Sequence, residues 1–126
     1  MKQQNEVNDD EKKAFEIYMR DAEKNDPAAL FNLGLMYSRG QGVTCNKAKA
    51  CEYYERAAEL GNAKAQFNLG LMYSKGDGVP KDKRRAAQLY EKSAKQGNSK
   101  AQSNLALMYS RGDGVEQNYP KAVELY

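Results

Sequence analysis

The chain has 126 residues, of which 40 % are hydrophobic and 29 % are charged, and its formal net charge is +3. This composition is typical of a single soluble globular domain. Histidine is absent, which removes the commonest general base and the commonest metal ligand of proteins. We therefore expect no metal site.

The first residues read MKQQNEVNDDEKK and contain no apolar segment of the kind that a signal peptide requires. No part of the chain approaches the roughly 20 consecutive apolar residues of a membrane span. We predict a flexible tail over residues 1–9 and a cytoplasmic protein that does not associate with membranes.

One phrase of eleven residues occurs three times at a spacing of 36 residues. It reads LGLMYSRGQGV at 33–43, LGLMYSKGDGV at 69–79 and LALMYSRGDGV at 105–115. A fixed period of this length indicates a solenoid, in which each unit packs against its neighbours. The repeats predict one domain over residues 10–126, with a partial unit 10–26, units 27–62 and 63–98, and an incomplete unit 99–126.

The first half of each unit predicts a helix, called helix A. It begins after a residue that can cap free N–H groups, namely Asp26, Asn62 or Asn98. Apolar residues then recur at helical spacing, as in Ala65, Leu69 and Met72. One position is always small, as Gly34, Gly70 or Ala106, and we expect the backbone of a neighbouring helix to approach closely there.

A loop with the pattern G-x-G-V separates helix A from a second helix, called helix B. Its two glycines predict positive φ angles. A phosphate-binding role is not favoured, because the phosphate fingerprint requires a preceding strand. Helix B begins after Asn46, Asp82 or Asn118, and Gly61 and Gly97 follow its last turn as C′ glycines. The full pattern predicts seven helices and no strands.

The two cysteines, Cys45 and Cys51, are six positions apart. At helical spacing this separation is too large for a disulfide. The repeat alignment places Cys51 in the core and Cys45 at the surface. Two free thiols agree with a reducing compartment.

These residues resemble the Sel-one-like repeat (SLR) family, a relative of the tetratricopeptide repeat. The matching pattern is A-x-x-x-L-G-x-x-Y-x-x-G-x-G-V, then D or N, then K-A-x-x-x-Y-x-x-A-A-x-x-G. The resemblance implies an all-α fold, a right-handed αα superhelix in which helix A of each unit lines a concave face. It also implies a role as an adaptor that assembles protein complexes.

By analogy with tetratricopeptide arrays, we predict a partner-binding stripe on the helix A face. It comprises three asparagines and five basic residues: Asn32, Asn68, Asn104, Arg39, Lys64, Lys75, Lys100 and Arg111. Asparagine is a poor helix former, so its recurrence indicates a side-chain role. Either it contacts the backbone of a bound peptide, or it bonds between neighbouring helices as a ladder. The basic residues favour an acidic partner or a C-terminal carboxylate.

Catalysis is not expected. Some bacterial members of the family bind penicillin-like compounds or are labelled β-lactamases, but they are similar to a branch with one disulfide per repeat. The corresponding positions here are Ala58 and Gln66, and no S-x-x-K, S-D-N or K-T-G motif is present. We predict a non-catalytic scaffold without a cofactor, with a penicillin-binding or β-lactamase-like protein and a self-assembling structural repeat as the alternatives.

Nucleic acid is not an expected partner, because basic residues are spread through every unit. One dense cluster occurs, formed by Lys81, Lys83, Arg84 and Arg85. We predict that it is a solvated helix face.

Overall fold

The structure, a computed structural model, describes the backbone of residues 2–125 and the side chains of residues 9–125. Over these residues the chain forms seven α-helices and no strand. The helices are α1 (Lys2–Ala22), α2 (Pro27–Arg39), α3 (Lys47–Glu59), α4 (Ala63–Lys75), α5 (Lys83–Lys95), α6 (Ser99–Arg111) and α7 (Tyr119–Leu125). The predicted all-α fold and the positions of the breaks are confirmed.

Helix α1 begins further upstream than the repeat pattern predicts. The predicted partial unit starts at residue 10, whereas α1 starts at Lys2. Residues 2–9 contain neither Gly nor Pro, so no residue there interrupts a helix. The boundary at residue 10 is therefore not the start of a helix, and the flexibility of the tail stays a prediction.

Helix A of the three units corresponds to α2, α4 and α6, and helix B to α3, α5 and α7. Each helix packs mainly against the helices before and after it in the chain. Fully buried leucines fill the spaces between the helices, namely Leu30, Leu33, Leu69, Leu89 and Leu105. The core therefore continues from unit to unit, as in other solenoids.

The predicted caps are present at both kinds of helix. In helix A, the side chain of Asn62 accepts a hydrogen bond from Ala65 N at 2.9 Å. In helix B, the side chain of Asp82 accepts one from Arg85 N at 3.0 Å. The same arrangement recurs in the other units, at Asp26, Asn46, Asn98 and Asn118. These caps fix where each helix begins.

The G-x-G loop joins successive units through a close backbone contact. All six of its glycines have positive φ angles, as predicted. A Cβ added at Gly78 would lie 2.9 Å from the carbonyl oxygen of Lys47, in the first turn of helix B of the preceding unit. The second glycine therefore allows each loop to lie directly on the preceding unit.

The repeat position of helix A that is occupied by Gly or Ala makes a different contact from the one that we predicted. A Cβ added at Gly70 would lie 2.6 Å from Cε1 of Tyr90. Gly34 makes the same contact with the ring of Tyr54. The close neighbour is thus an aromatic ring from helix B of the same unit and not a helix backbone, because the tyrosine turns inward and is almost completely buried.

Candidate partner-binding face

The candidate site lies on the surface formed by α2, α4 and α6, which we call the A face. All eight predicted site residues line cavities on this face. They are Asn32, Arg39, Lys64, Asn68, Lys75, Lys100, Asn104 and Arg111. The structure therefore brings the predicted residues onto one surface, and their role in binding stays a prediction.

Three equivalent clefts follow one another along the A face, one in each unit. Each contains a tyrosine from the helix that precedes helix A, namely α1, α3 or α5, and an asparagine, a leucine and a basic residue of helix A. The first cleft has Tyr18, Asn32, Leu35 and Arg39; the second has Tyr54, Asn68, Leu71 and Lys75; the third has Tyr90, Asn104, Leu107 and Arg111. Their volumes are about 240, 220 and 190 Å³. The repeat has thus produced a series of similar small sites.

In the second and third clefts the asparagine side chain acts on the tyrosine hydroxyl. Burial raises the pKa of Tyr54, while the side chain of Asn68, the charge of Arg39 and the side chain of Ser38 lower it. Burial likewise raises the pKa of Tyr90, and the side chains of Asn104 and Ser74 lower it. In these two clefts the asparagine of one helix thus acts on a tyrosine of a neighbouring helix, and the choice between our two hypotheses stays open. The asparagines also remain partly exposed at the clefts, where a ligand can reach them.

The five basic residues of the predicted stripe are all exposed. Among the side chains that the structure describes, no carboxylate lies within ion-pair distance of them. Two other lysines pair with aspartates that line the clefts: Lys47 lies 3.6 Å from Asp77, and Lys83 lies 3.3 Å from Asp113. The stripe thus offers positive charge that its described neighbours leave uncompensated.

Sequence reasoning missed the contacts of these paired lysines. Lys47 Nζ lies 3.2 Å from Ser38 Oγ and also reaches Asp77 of the next unit, so it joins two units. The partial unit 10–26 has Glu11 in place of the lysine, and its carboxylate accepts a hydrogen bond from Gly42 N at 2.8 Å. The loop residue 30 positions later changes together with this residue: it is Gln41 after Glu11, but Asp77 after Lys47 and Asp113 after Lys83. The sequence alone therefore contained a signal for this contact.

The predicted solvated cluster is only partly solvated. Lys81 and Arg84 are exposed. Lys83 instead pairs with Asp113, while Arg85 pairs with Glu55 and lies 5.9 Å from the centre of the Tyr73 ring. The prediction was wrong for Lys83 and Arg85, because the start of α5 faces neighbouring units as well as solvent.

A fourth and larger cavity of about 520 Å³ crosses the A face, and we call it the aromatic cleft. Its apolar lining consists of Phe31 and Leu35 from α2 and Phe67 from α4. Arg39, Lys64, Asn68 and the segment Gly97–Lys100 complete the lining. Sequence reasoning missed the two phenylalanines, although the third unit has Ser103 at their repeat position, which showed that this position is not uniform.

A hydrogen bond joins the two positions that correspond to the disulfide of the cysteine-rich branch. The Nε2 atom of the buried Gln66 donates to the carbonyl oxygen of Ala58 at 3.1 Å. Its Oε1 atom accepts a hydrogen bond from Gln96 Nε2 at 2.9 Å. Gln102 donates to the Ala94 carbonyl oxygen in the next unit, also at 3.1 Å. Polar side chains thus connect the end of helix B with the following helix A.

Both cysteines are free, with Cys45 exposed and Cys51 buried, as predicted. Burial, together with the charges of Asp77 and Glu55, raises the pKa of Cys51 to about 11. Its thiol is therefore protonated at neutral pH. Within the described part of the chain, no three His, Cys, Asp or Glu residues are grouped so that they could hold a metal ion. None of the described helices has the length and apolar character needed to cross a membrane.

Comparison with known structures finds similar folds in three bacterial proteins. The protective antigen c5321 of uropathogenic Escherichia coli, which displays an SLR fold, is 36 % identical with a TM-score of 0.84, over 88 % of this chain and 24 % of the antigen. A Sel1 repeat protein of Oxalobacter formigenes is 37 % identical with a TM-score of 0.84, over 91 % of this chain and 47 % of that protein. Cysteine rich protein B of Helicobacter pylori is 30 % identical with a TM-score of 0.73, over 94 % of this chain and 85 % of that protein.

This chain thus spans about a quarter of the Escherichia coli antigen and about half of the Oxalobacter protein. A comparison with curated proteins finds no significant match. The Sel1 repeat family model matches residues 27–62, 63–98 and 99–126. The resemblance is confirmed, and the chain belongs to the Sel1 repeat family, whose members are generally scaffolds for protein interactions.

Proposed function

We propose that this chain is a non-catalytic scaffold that binds an acidic segment of a protein or peptide along the A face. The observation that carries the proposal is the series of three equivalent clefts, each with an asparagine and an exposed basic residue. A ligand that matches such a series must itself present similar groups at regular intervals. An extended polypeptide does so through its backbone.

The chemistry of each cleft suits such a ligand. An asparagine side chain both donates and accepts hydrogen bonds, so it can pair with a peptide N–H or C=O group. Arg39, Lys75 and Arg111 add one positive charge to each cleft. A side-chain carboxylate or a C-terminal carboxylate would supply the opposite charge and improve electrostatic complementarity.

The charges of the A face provide the test. Lys75 and Arg111 are each changed to Glu, and the double variant is used with the wild type to capture proteins from a native lysate for mass spectrometry. Lys92→Glu is the matched control, because Lys92 is exposed on α5 and lines none of the A face cavities described above. We expect the double variant to lose wild-type partners that the control retains.

Direct binding then tests the charge of the ligand. An acidic peptide taken from a captured partner should bind the wild type more weakly as salt is raised, because salt screens exposed charges. The double variant should bind more weakly and depend less on salt. Equal partners and equal affinities for the double variant and the wild type would refute a binding role for these residues.

Absence of catalysis and the cytoplasmic location also belong to the proposal. Incubation with a chromogenic β-lactam tests the enzyme alternative, and we expect hydrolysis no faster than in buffer. Sedimentation tests the self-assembling alternative, and we expect the sedimentation coefficient to be independent of concentration. The free thiols of Cys45 and Cys51 support a reducing compartment.

A further inference from the structure

We infer that the aromatic cleft is the anchor point of the bound peptide and takes one large apolar side chain that has a carboxylate beside it. This inference rests on the proposed function and adds the residue type that fixes the position of the peptide. The cleft has a volume of about 520 Å³, which lies within the usual range of ligand pockets.

Buried tyrosines beneath the cleft support the phenylalanine rings that form its apolar part. Phe31 packs on Tyr54 with the ring centres 5.8 Å apart, and Phe67 packs on Tyr90 at the same distance. Both tyrosines are almost fully buried, whereas both phenylalanines are only partly buried and line the cleft. The phenylalanine rings thus provide a preformed apolar surface, so little conformational freedom is lost when a side chain binds to it.

The charged residues of the cleft indicate which groups of the peptide lie next to its apolar side chain. Arg39, Lys64 and Lys100 line it, and none of them is paired with a carboxylate among the side chains that the structure describes. An uncharged apolar ligand would leave these three cations without partners. A peptide with carboxylates next to the apolar residue would match them.

A single-stranded nucleic acid could also use rings and cations, but the neighbouring loops favour the peptide. Asp77 lines the second cleft of the A face and Asp113 lines the third. A phosphate backbone that continued along the face would carry a negative charge at every nucleotide, including those beside these carboxylates. A peptide can place carboxylates beside the basic residue of each cleft and neutral residues beside its aspartate.

The pair of rings occurs only once among the three units. Phe31 and Phe67 occupy one repeat position in the first and second units, and Ser103 occupies it in the third. A similar cleft between the second and third units would therefore lack one ring. This asymmetry gives the otherwise regular A face one preferred position for a large apolar side chain, and it fixes the register of the peptide.

The test uses three labelled nine-residue peptides and one oligonucleotide, with binding measured by fluorescence anisotropy. The first peptide has one central Phe flanked by Asp and Glu, the second has Ser in place of this Phe, and the third has Asn and Gln in place of the acids. The oligonucleotide is a twelve-residue oligothymidylate. The variants are Phe67→Ser, which introduces the residue of the third unit, Lys100→Glu, and the control Lys92→Glu.

We expect the Phe-containing acidic peptide to bind the wild type about tenfold more tightly than either other peptide, a difference of about 1.4 kcal/mol. Phe67→Ser should remove this preference without changing the affinity for the Ser peptide. Lys100→Glu should weaken both acidic peptides, and Lys92→Glu should change neither. Circular dichroism checks that each variant is folded, and Lys100→Glu, at an exposed position, still tests the cleft if Phe67→Ser does not fold.

The other outcomes separate the inference from the proposed function. If both acidic peptides bind equally to the wild type, the anchor is refuted while peptide binding on the A face stands. If no peptide binds at millimolar concentration, the anchor is refuted, and the lysate capture alone then decides the proposed function. If the oligonucleotide binds more tightly than the peptides and Phe67→Ser weakens it, the cleft belongs to a nucleic acid.

Discussion

The ring of Tyr90 lies against Gly70 so closely that a Cβ added there would be 2.6 Å from Cε1 of the ring. An alanine in place of glycine normally stabilises a helix by about 1 kcal/mol. Here the added methyl group must displace a buried ring, and overpacking of this kind costs about 1 to 3 kcal/mol. We therefore predict that Gly70→Ala fails to stabilise the protein and lowers the free energy of unfolding by up to about 2 kcal/mol, as measured by urea denaturation.

The third unit provides the matched control. Ala106 occupies the same repeat position and is completely buried. Ala106→Gly should also destabilise, by about 1 kcal/mol, because it adds backbone freedom and removes a packed methyl group. If Gly70→Ala instead raised the free energy of unfolding, the Tyr90 ring would have to move at little cost, and the close contact would not explain the glycine.

A second prediction concerns the buried Gln66. Its Nε2 atom donates to the Ala58 carbonyl oxygen, and its Oε1 atom accepts from Gln96. Gln66→Leu would leave these groups without their partner, and a buried polar group without a partner costs about 1 to 3 kcal/mol. We expect a loss of this size in the free energy of unfolding.

Gln102→Leu is the comparison, because Gln102 makes the same bond to Ala94 in a more exposed setting. Water can replace the lost partner there, so the effect should be smaller. Equal effects of the two changes would show that neither the burial of Gln66 nor its inter-unit bond to Gln96 adds stability.

The helices were predictable because their signals are local. Cap residues such as Asn62 and Asp82 mark helix starts, and the glycines of the loops mark the breaks. The contact at Gly70 was predicted as a backbone approach, because sequence shows that a position is small without showing what lies against it. Only the fold places the ring of Tyr90, 20 residues downstream, over this glycine.

A third prediction follows from the raised pKa of Cys51, which is about 11 instead of the usual 9.0. The folded state holds the thiol proton more tightly than the unfolded state does. The resulting stability is fully present below about pH 9 and is lost as the pH rises towards 11. Between these values the wild type should lose stability more steeply than Cys51→Ala, whose new residue matches Ala87 of the next unit.

Urea denaturation at several pH values measures this difference, and the comparison removes the contribution of the tyrosines common to both proteins. Thiol labelling is an independent check. Cys45 is exposed and should react quickly at pH 8, whereas Cys51 should react only on unfolding. Parallel pH profiles for wild type and Cys51→Ala would contradict the raised pKa.

The candidate site was only partly predictable. The repeat placed all eight stripe residues on one face, because equivalent positions of a solenoid share a surface. It did not reveal the aromatic cleft, which combines residues of three units, Phe31, Phe67 and Lys100. It also left the two roles of the asparagines undecided, since the same position can serve a neighbouring helix or a ligand.

The last prediction separates these two roles at Asn68. The Asn68 side chain lowers the pKa of Tyr54 against the effect of burial, so Asn68→Ala should raise that pKa further, as ultraviolet titration would show. We expect the loss of this polar interaction also to lower the free energy of unfolding by about 1 kcal/mol. In a double-mutant cycle with Tyr54→Phe, this loss should shrink, because the hydroxyl is already absent.

If Asn68 also bonds to the ligand, Asn68→Ala should weaken peptide binding equally in the wild type and in the Tyr54→Phe background. A binding loss that disappears with the hydroxyl would show that Asn68 acts only through Tyr54.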